Sequence, residues 1–431
     1  MPDRLPPFLR AFNHSNFRIY FAGQFVSVSG TWMQLVALAW LIYDLSGSPF
    51  ILGLAGFIGQ SPVFFLAPLA GVVADRYDRK RMLLLTQTLF TVLATSLAVL
   101  SLTHLISIPI ILVTMLASGI LTAFDFPLTQ TFIVELVERE HLGNAIALNT
   151  TLWNGGRVLG PAAAGLLLGS YGAGICFALN AVTFLAVIIS LLLIRVSPSK
   201  PGKHVGSHLT HFRQGWQYVR RTVPVRLLLL LLGIMSLIGY APNILMPVIA
   251  EEVLGGGPTT LGWLMGAMGV GALLGALSLA ILNDVQRLGK VVAATTGAYG
   301  LFLIFFSSST RVWLSIPLVA LTGFCLMGLA TASNSLLQYM VPDSLRGRVM
   351  SFYSMMWLGM TPVSSLLAGT LASRIGAPEA LAVGGVFAIL TAALFSLNLP
   401  KFWRIVGPML RQYSVASRTT KADNRVESGI D

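Results

Sequence analysis

The chain has 431 residues, of which 55% are hydrophobic and only 10% are charged, and its mean hydropathy is +0.78. Soluble domains carry roughly 25% charged residues, so this composition excludes an ordinary soluble protein and indicates a membrane protein. The formal net charge of +12 would suit a nucleic-acid-binding protein. However, the basic residues fall between apolar segments, which argues against that class and indicates a membrane topology signal.

Apolar stretches of about 20 residues, long enough to cross the hydrocarbon core as a helix, occur twelve times along the chain. The first 15 residues are polar, and the apolar run after them is too long for a signal peptide, so we expect no cleaved signal. The predicted spans cover residues 16–43, 49–74, 82–103, 108–130, 143–170, 174–195, 225–250, 259–282, 289–308, 312–338, 345–373 and 377–398.

An even number of spans places both termini on one side of the membrane. If that side is the cytoplasm, all of the 28 Lys and Arg residues except Arg157, Arg311 and Arg374 lie in its loops and tails or at its helix ends. This asymmetry is the positive-inside pattern. We therefore predict a multi-pass protein with cytoplasmic termini, and a basic linker that contacts anionic lipid.

The segment "GVVADRYDRKR", residues 71–81, crowds charges between the second and third spans. It closely resembles the G-x-x-x-D-R-x-x-R-[KR] motif that joins helices 2 and 3 in the major facilitator superfamily. The positions that match the motif, together with one further basic residue, are Gly71, Asp75, Arg76, Arg79, Lys80 and Arg81.

The resemblance implies a cytoplasmic gate. Gly71 would let helix 2 pack against helix 11, and Asp75 would face the start of helix 11, where the helix dipole favours an anion. In the family this cluster holds the cytoplasmic side shut in the outward-open state, and Asp343 or Ser344 would cap the facing helix. The alternative is a positive-inside anchor, which would need neither Gly71 nor Asp75.

The fifth span contains "NGGRVLGPAAAG", which resembles the G-x-x-x-G-P antiporter motif of exporters in this superfamily. Small residues four positions apart let helices approach closely, so glycine-rich packing without any antiport meaning is the alternative. The motif residues are Gly156, Gly160, Pro161 and Gly165. The longer run through spans 4 and 5 is similar to the branch that contains enterobactin exporters and macrolide-efflux proteins.

Two ionisable residues are predicted to lie deep in the membrane, Asp125 in span 4 and Arg157 in span 5. A charge at that depth normally faces a cavity or a partner. Asp125 is therefore either the carboxylate that carries a coupled proton or the permanent ion partner of Arg157 or of the charged cluster.

The second half of the chain repeats the first. A shift of 209 residues aligns Pro49 with Pro258 and Gly53 with Gly262 without a gap. Parallel six-helix repeats are typical of one transporter architecture, whose substrate site lies between the halves. The predicted fold is therefore an all-α membrane protein with twelve transmembrane helices in two parallel halves, the major facilitator fold. Its expected parts are an N-terminal segment 1–15, a bundle 16–195, a basic linker 196–223, a bundle 224–398 and a disordered tail 399–431.

In this architecture helices 1, 4, 7 and 10 surround the substrate cavity, and the matching spans carry polar residues at helical spacing. The alternative is hydrogen bonding between helices, which such residues also provide. The predicted cavity residues are Gln24, Ser27, Thr31, Trp32, Gln34, Thr122, Tyr240, Asn243, Asn334 and Gln338.

Taken together, these features predict a secondary transporter of a bacterial inner membrane, monomeric and without a cofactor, metal site or catalytic group. No nucleotide-binding glycine loop is present, so we expect protons rather than ATP to drive it. We expect export of an amphipathic small molecule, such as a siderophore or lipophilic drug, by alternating access. The alternatives are an uptake carrier or facilitator, and a sensor or lipid translocase that uses the same fold.

Overall fold

The computed structural model describes residues 6–195, 208–281 and 285–427, and these ranges are helical apart from short connections. A short 3₁₀ helix, Pro7–Asn13, precedes the first long helix and is held by Asn144, whose amide bridges the backbone of Phe8 and Ala11. The first half then consists of α1 (Ser15–Ser46), α2 (Pro49–Arg76), α3 (Arg79–Leu102), α4 (Ile108–Leu136), α5 (Leu142–Tyr171) and α6 (Ala173–Leu193).

The second half follows a linker helix, α7 (His208–Arg221), and has more interruptions than the first half. Its seventh crossing contains two helices and a π-helical turn at Ile249–Val253, and its eleventh crossing contains two helices. The helices are α8 (Val223–Gly239), α9 (Ala241–Val248), α10 (Gly257–Ile281), α11 (Val285–Ser307), α12 (Val312–Met340), α13 (Asp343–Trp357), α14 (Thr361–Ile375) and α15 (Ala377–Glu427).

In the described ranges, eleven helical segments are long and apolar enough to cross a membrane. The remaining crossing is α5, which is 30 residues long but carries Asn144, Asn149 and Arg157 among its apolar residues. The polar positions of α5 make it less apolar than the others without shortening it. The prediction of twelve helices in two halves is confirmed.

Proline causes both breaks in the second half. Pro242 and Pro362 each lie at the second position of a new helix, α9 and α14, where the missing N–H interrupts the hydrogen-bond ladder. Two buried serines compensate at these breaks. Ser236 donates to the carbonyl of Trp357 at 2.6 Å, and Ser364 donates to the carbonyl of Leu237 at 2.7 Å. The two broken crossings are therefore bonded to each other beside their breaks.

The side of the molecule that holds both termini and the α2–α3 turn is called here the terminal side, and the opposite one the distal side. The two halves meet on the distal side, where α2 crosses α14 and α5 crosses α10. Both crossings bring glycines together. A Cβ built on Gly53 would lie 2.8 Å from the Cα of Gly369, and one on Gly165 would lie 2.8 Å from the Cα of Gly262.

Two predicted segments differ from expectation. Part of the linker, residues 208–221, forms α7. Its apolar residues Leu209, Phe212, Trp216 and Val219 recur at intervals of three and four, the spacing of one helix face. The last helix, α15, continues to Glu427 through the segment that the sequence predicted to be disordered. Extending an existing helix needs no new nucleus, which is why the tail of α15 can follow the membrane helix. Residues 196–207 and 428–431 lie outside the described part of the chain.

The linker helix packs on the second half. An added Cβ on Gly215 would meet the ring of Phe352 at 3.0 Å, so glycine lets α7 lie close to α13. Trp216 contacts the same ring, with 6.1 Å between centroids, and the hydroxyl of Tyr218 donates to the carbonyl of Met340 at 3.4 Å. Burial at this contact raises the pKa of the Tyr218 phenol above its ordinary value.

Candidate functional site

A cavity of about 540 Å³ lies between the halves, at the level of the middle of the long helices. The structure brings most of the predicted residues together on its wall. As expected, they come from α1, from α4 and from the seventh crossing, which consists of α8 and α9. The predicted residues that line it are Gln24, Ser27, Thr31, Trp32, Gln34, Thr122, Asp125, Arg157, Tyr240 and Asn243. Their role in transport stays a prediction.

Asn334 and Gln338 are not on the wall of this cavity, and their assignment to it needs correction. The cavity residues of α12 are Leu326 and Met327, which lie about two turns further toward the distal side. The amide of Gln338 donates to Asn334 at 2.5 Å and lines a separate pocket of about 280 Å³. Helical periodicity gives the face of a helix but not the depth at which a cavity ends, which explains the error.

Asp125 is held by neutral side chains. Its Oδ1 accepts hydrogen bonds from the hydroxyl of Thr86 at 2.6 Å and from the amide of Gln87 at 2.9 Å, both on α3. Thr129, one turn along α4, is a further hydrogen-bond partner. Among the described side chains no cation lies within ion-pair distance of Asp125.

Arg157 does not form an ion pair with Asp125, which was one of the two alternatives that the sequence left open. Its guanidinium carbon lies 5.5 Å from the centre of the Trp32 ring, a cation–π contact. No hydrogen bond or ion pair joins this guanidinium to any described residue. Because Asp125 is already bonded to α3, the two charges face one cavity as separate groups.

Several of the polar groups on the cavity wall are already used in internal hydrogen bonds. The amide oxygen of Gln34 accepts from Asn180 of α6 at 2.8 Å. The hydroxyls of Thr31 and Thr122 donate to carbonyls of their own helices at 3.0 and 2.8 Å. These three side chains retain less capacity to bind a ligand than the side chains of Gln24 and Asn243, for which the structure gives no side-chain hydrogen bond.

The glycines of the antiporter-like motif face two different helices. A Cβ on Gly156 would meet Val28 at 2.6 Å, and one on Gly160 would meet Trp32 at 2.5 Å, so both glycines let α5 lie against α1. Gly165 instead faces α10 of the other half, whose Thr259 donates to the Gly165 carbonyl at 3.2 Å. Pro161 is buried between these two contacts. The motif therefore builds the cavity wall and the distal closure.

The charged cluster at residues 71–81 bonds within its own half. Arg79 pairs with Glu135 at the end of α4, and Lys80 donates to the carbonyl of Ile194 at 2.7 Å. The backbone of Arg81 donates to the side chain of Asp78, which caps α3 at 2.8 Å. Arg76 is exposed, and the side chain of Asp75 lies outside the described ones.

The motif predicts a contact between α2 and the eleventh crossing, which begins with α13. This contact is not made at Gly71 in this conformation. A Cβ added to Gly71 would meet no described atom within 4 Å. The side chain of Asp343, the predicted partner region, also lies outside the described ones. With the distal side packed through glycines and no described atom against Gly71, the cavity is closed on its distal side in this conformation.

A hydrogen bond between two side chains also joins the halves at the distal end. The hydroxyl of Tyr43, at the end of α1, donates to the carboxylate of Glu252 in the π turn. These positions are 209 residues apart, which is the shift that relates the two repeats. The contact therefore lies where equivalent ends of the first and seventh helices meet.

Comparison with known proteins places this architecture. A model of the family described as "Transmembrane secretion effector", within the major facilitator superfamily, matches residues 7–406, nearly the whole chain. The chain belongs to this family. It is therefore a multi-pass membrane transport protein and not an enzyme.

Curated relatives cover the same length at low identity. The "Staphyloferrin A transporter" of Staphylococcus aureus is 23% identical over 88% of this chain and 95% of its own. "Macrolide efflux protein A" of Streptococcus pyogenes is 23% identical, with coverage of 89% and 96%. "Enterobactin exporter EntS" of Shigella boydii is 24% identical, with coverage of 89% and 91%.

Solved structures agree on the fold. The nucleoside transporter NupG matches with a TM-score of 0.69 at 11% identity, over 89% of this chain and 98% of that one. A bacterial homologue of the iron transporter ferroportin, in an inward-facing state, matches with a TM-score of 0.68 at 16% identity, over 90% and 98%. At identities this low, these structures support the fold of the chain and nothing further.

Sequence reasoning missed polar residues that helices 2, 3 and 6 bring to the site. Gln60 lines the cavity from α2, and Thr86 and Gln87 of α3 hold Asp125. Asn180 of α6 orients Gln34. An available signal was an amide inside an apolar span, because such a group needs a partner or a wet cavity at membrane depth.

Proposed function

We propose that this protein is a proton-coupled exporter of amphipathic small molecules, working by alternating access in a bacterial inner membrane. The names of its relatives support export, since they describe siderophore and macrolide transporters. The size and mixed character of the cavity also fit, because amides, one acid and one arginine lie among many apolar side chains. The protein acts as a monomer in this proposal, with a complete cavity in one chain.

The observation that carries the proposal is the position of Asp125. It is the only Asp or Glu among the described residues of the cavity wall. Its partners Thr86 and Gln87 are neutral, so no fixed positive charge forces it to stay ionised. The Oε1 atom of Gln87 is buried without a donor among the described residues, and a protonated Asp125 carries the donor that this oxygen lacks.

The positive-inside pattern supports the direction of transport. It assigns the terminal side to the cytoplasm, so the cavity described above faces the cytoplasm and is ready to load from it. Opening of the distal side and closure at the 71–81 cluster would then release the substrate outside. In this scheme Asp125 takes up a proton from outside and delivers it inward as the cavity turns back.

The test uses proteoliposomes with the protein in one orientation, an internal pH dye, and labelled macrolide, citrate-type and catecholate siderophores in turn. We expect at least one of these compounds to move against its gradient when a pH gradient is imposed. Asp125→Asn should abolish this uphill movement while substrate exchange at equal pH survives, because the amide mimics a protonated carboxyl that cannot release its proton.

The matched control is Asp44→Asn, which changes an exposed acid near the distal end of α1. It should transport like the wild type. Uphill export by a well-folded Asp125→Asn protein would disprove the coupling role of this residue. If the wild type moved the labelled compounds only down their own gradients, the protein would be a facilitator, which would contradict proton-coupled export.

A further inference from the structure

Arg157 is the only basic side chain on the described part of the cavity wall. It lies midway along α5, so its charge is placed at the depth of the membrane centre. A structural arginine at this depth normally pairs with a carboxylate or a backbone carbonyl. Arg157 instead contacts the face of Trp32 and has no hydrogen-bond acceptor among the described residues.

The one described acid of the cavity wall is already hydrogen-bonded elsewhere. That acid is Asp125, whose Oδ1 accepts hydrogen bonds from Thr86 and Gln87 of α3. The positive charge on Arg157 is therefore not neutralised by the protein in the conformation that loads from the terminal side. An unpaired charge in a low-dielectric wall attracts an anion more strongly than one in water.

Trp32, beside Arg157, also has a polar atom without a partner. The indole N–H of Trp32 is buried and has no acceptor among the described residues. The absence of a side chain at Gly160 lets the Cβ of Trp32 lie close to α5. The indole N–H is covered in this conformation, so the donor that a ligand can reach is the Arg157 guanidinium. Its planar shape matches a carboxylate in bidentate geometry.

The surfaces beside this point are apolar. Phe90, Phe184 and Met265 line the cavity around the polar centre. A ligand that pairs with Arg157 therefore needs an apolar or aromatic body as well as its charged group. A small inorganic anion would satisfy the guanidinium but leave these side chains in contact with water.

We infer that Arg157 and Trp32 form an anion subsite, and that the transported molecules are amphipathic organic carboxylates. The carboxylate pairs with Arg157 while the apolar body lies against Trp32 and the aromatic wall. This inference rests on the proposed function, because it takes the central cavity as the transport site, and it narrows the class of substrate. It also gives Arg157 a role separate from the proton on Asp125.

The test is equilibrium binding to the purified full-length protein in nanodiscs, without a pH gradient. The probes are 1-naphthoate and 1-naphthamide, which differ in charge but hardly in shape. The wild type should bind naphthoate roughly tenfold or more tightly than naphthamide, the range for hydrogen bonds to a charged group. Arg157→Gln should lose that preference by weakening naphthoate alone, and Arg157→Lys should keep part of it.

Arg311→Gln is the matched control, since Arg311 is exposed in the loop before α12. It should keep the full preference. Equal binding of both probes by the wild type, or an unchanged preference in folded Arg157→Gln, would overturn the subsite. These outcomes do not depend on transport, so loss of proton coupling with intact naphthoate selectivity would defeat only the proposed function.

A second measurement needs no variant and covers a failure of Arg157→Gln to fold. Phenylglyoxal modifies arginine, and peptide mass spectrometry reports the extent of modification at Arg157. Naphthoate should slow modification of Arg157 in the wild type several-fold, while naphthamide should not, and Arg311 should be unaffected by either. Equal modification of Arg157 with and without naphthoate would overturn the subsite.

Discussion

On the distal side the two halves touch through glycine backbones, whereas on the terminal side Arg79 and Lys80 are bonded inside their own half. Gly53 meets Gly369 at the distal closure, and Gly165 meets Gly262. At the terminal side Arg79 is paired with Glu135 of the same half, and no described atom would lie within 4 Å of a Cβ on Gly71. Close backbone packing between the halves closes the distal side. On the terminal side Arg79 and Lys80 make their bonds within the first half.

The difference has a physical consequence. Contacts between backbones leave no side chain that can rotate to absorb an added atom, so the distal closure tolerates little change. Charges that are satisfied within one half lose nothing when the halves separate. The terminal side can therefore stay open without leaving Arg79 or Lys80 unpaired, because each keeps its partner in the first half.

The largest expected effect comes from breaking the distal closure with Gly262→Ala. The added Cβ would lie 2.5 Å from the Cα of Gly165, so the halves must separate. Overpacking costs about 1–3 kcal/mol, which should raise labelling of Ala39→Cys by an external impermeant thiol reagent roughly tenfold. The buried native residues Cys176 and Cys325 are first replaced by alanine.

Gly266→Ala is the control for this change. It adds the same methyl group one turn further along α10, where its Cβ would meet only the carbonyl of Val158 at 3.8 Å. Labelling should therefore remain at the wild-type level. Equal labelling in the Gly262 and Gly266 variants would show that the glycine contact does not hold the distal side closed.

A smaller effect is expected from Tyr43→Phe, which removes the hydrogen bond to Glu252 across the halves. A single hydrogen bond contributes about 0.5–1.5 kcal/mol, so labelling of Ala39→Cys should rise a few-fold. Tyr171→Phe makes the same change at an exposed phenol on the distal end of α5 and should have no effect. If both variants label alike, the bond does not contribute to closure.

The smallest effect is expected on the terminal side. Glu135→Gln removes the partner of Arg79, a pair that is only partly buried. Such pairs stabilise by about 1 kcal/mol or less, so thermal unfolding should shift by a small amount and distal labelling should not rise. Glu140→Gln changes an exposed acid nearby and serves as the control. A rise in labelling as large as that of Tyr43→Phe would contradict the contrast between the two sides.

The sequence allowed the fold and the repeat to be predicted because span length and charge asymmetry are properties of the chain alone. The shift of 209 residues that aligns Gly53 with Gly262 also predicts that both serve equivalent crossings, and the structure places both at the distal contact. What the sequence could not provide was the depth along each helix. Asn334 and Gln338 carry the expected periodicity but lie beyond the cavity.

Partners across helices were equally hidden. Asp125 and Arg157 are the two deep charges, and pairing them was reasonable by composition. Their partners are decided by how α3 and α1 pack beside them, which gives Thr86 and Gln87 to Asp125 and Trp32 to Arg157. The sequence pattern does not distinguish these partners from the Asp125–Arg157 pair, because the choice depends on how each helix is rotated about its own axis.

The bonds beside the two prolines have a consequence for motion. Ser236 and Ser364 each hold a carbonyl of the other helix, so the seventh and eleventh crossings are tied at their flexible joints. If only one joint straightened, a buried carbonyl would lose its donor, at a cost of about 1–3 kcal/mol. The two joints must therefore bend in concert. If the protein works by the alternating access proposed above, we expect the second half to deform and the first half, with its unbroken helices and both cavity charges, to act as the rigid frame.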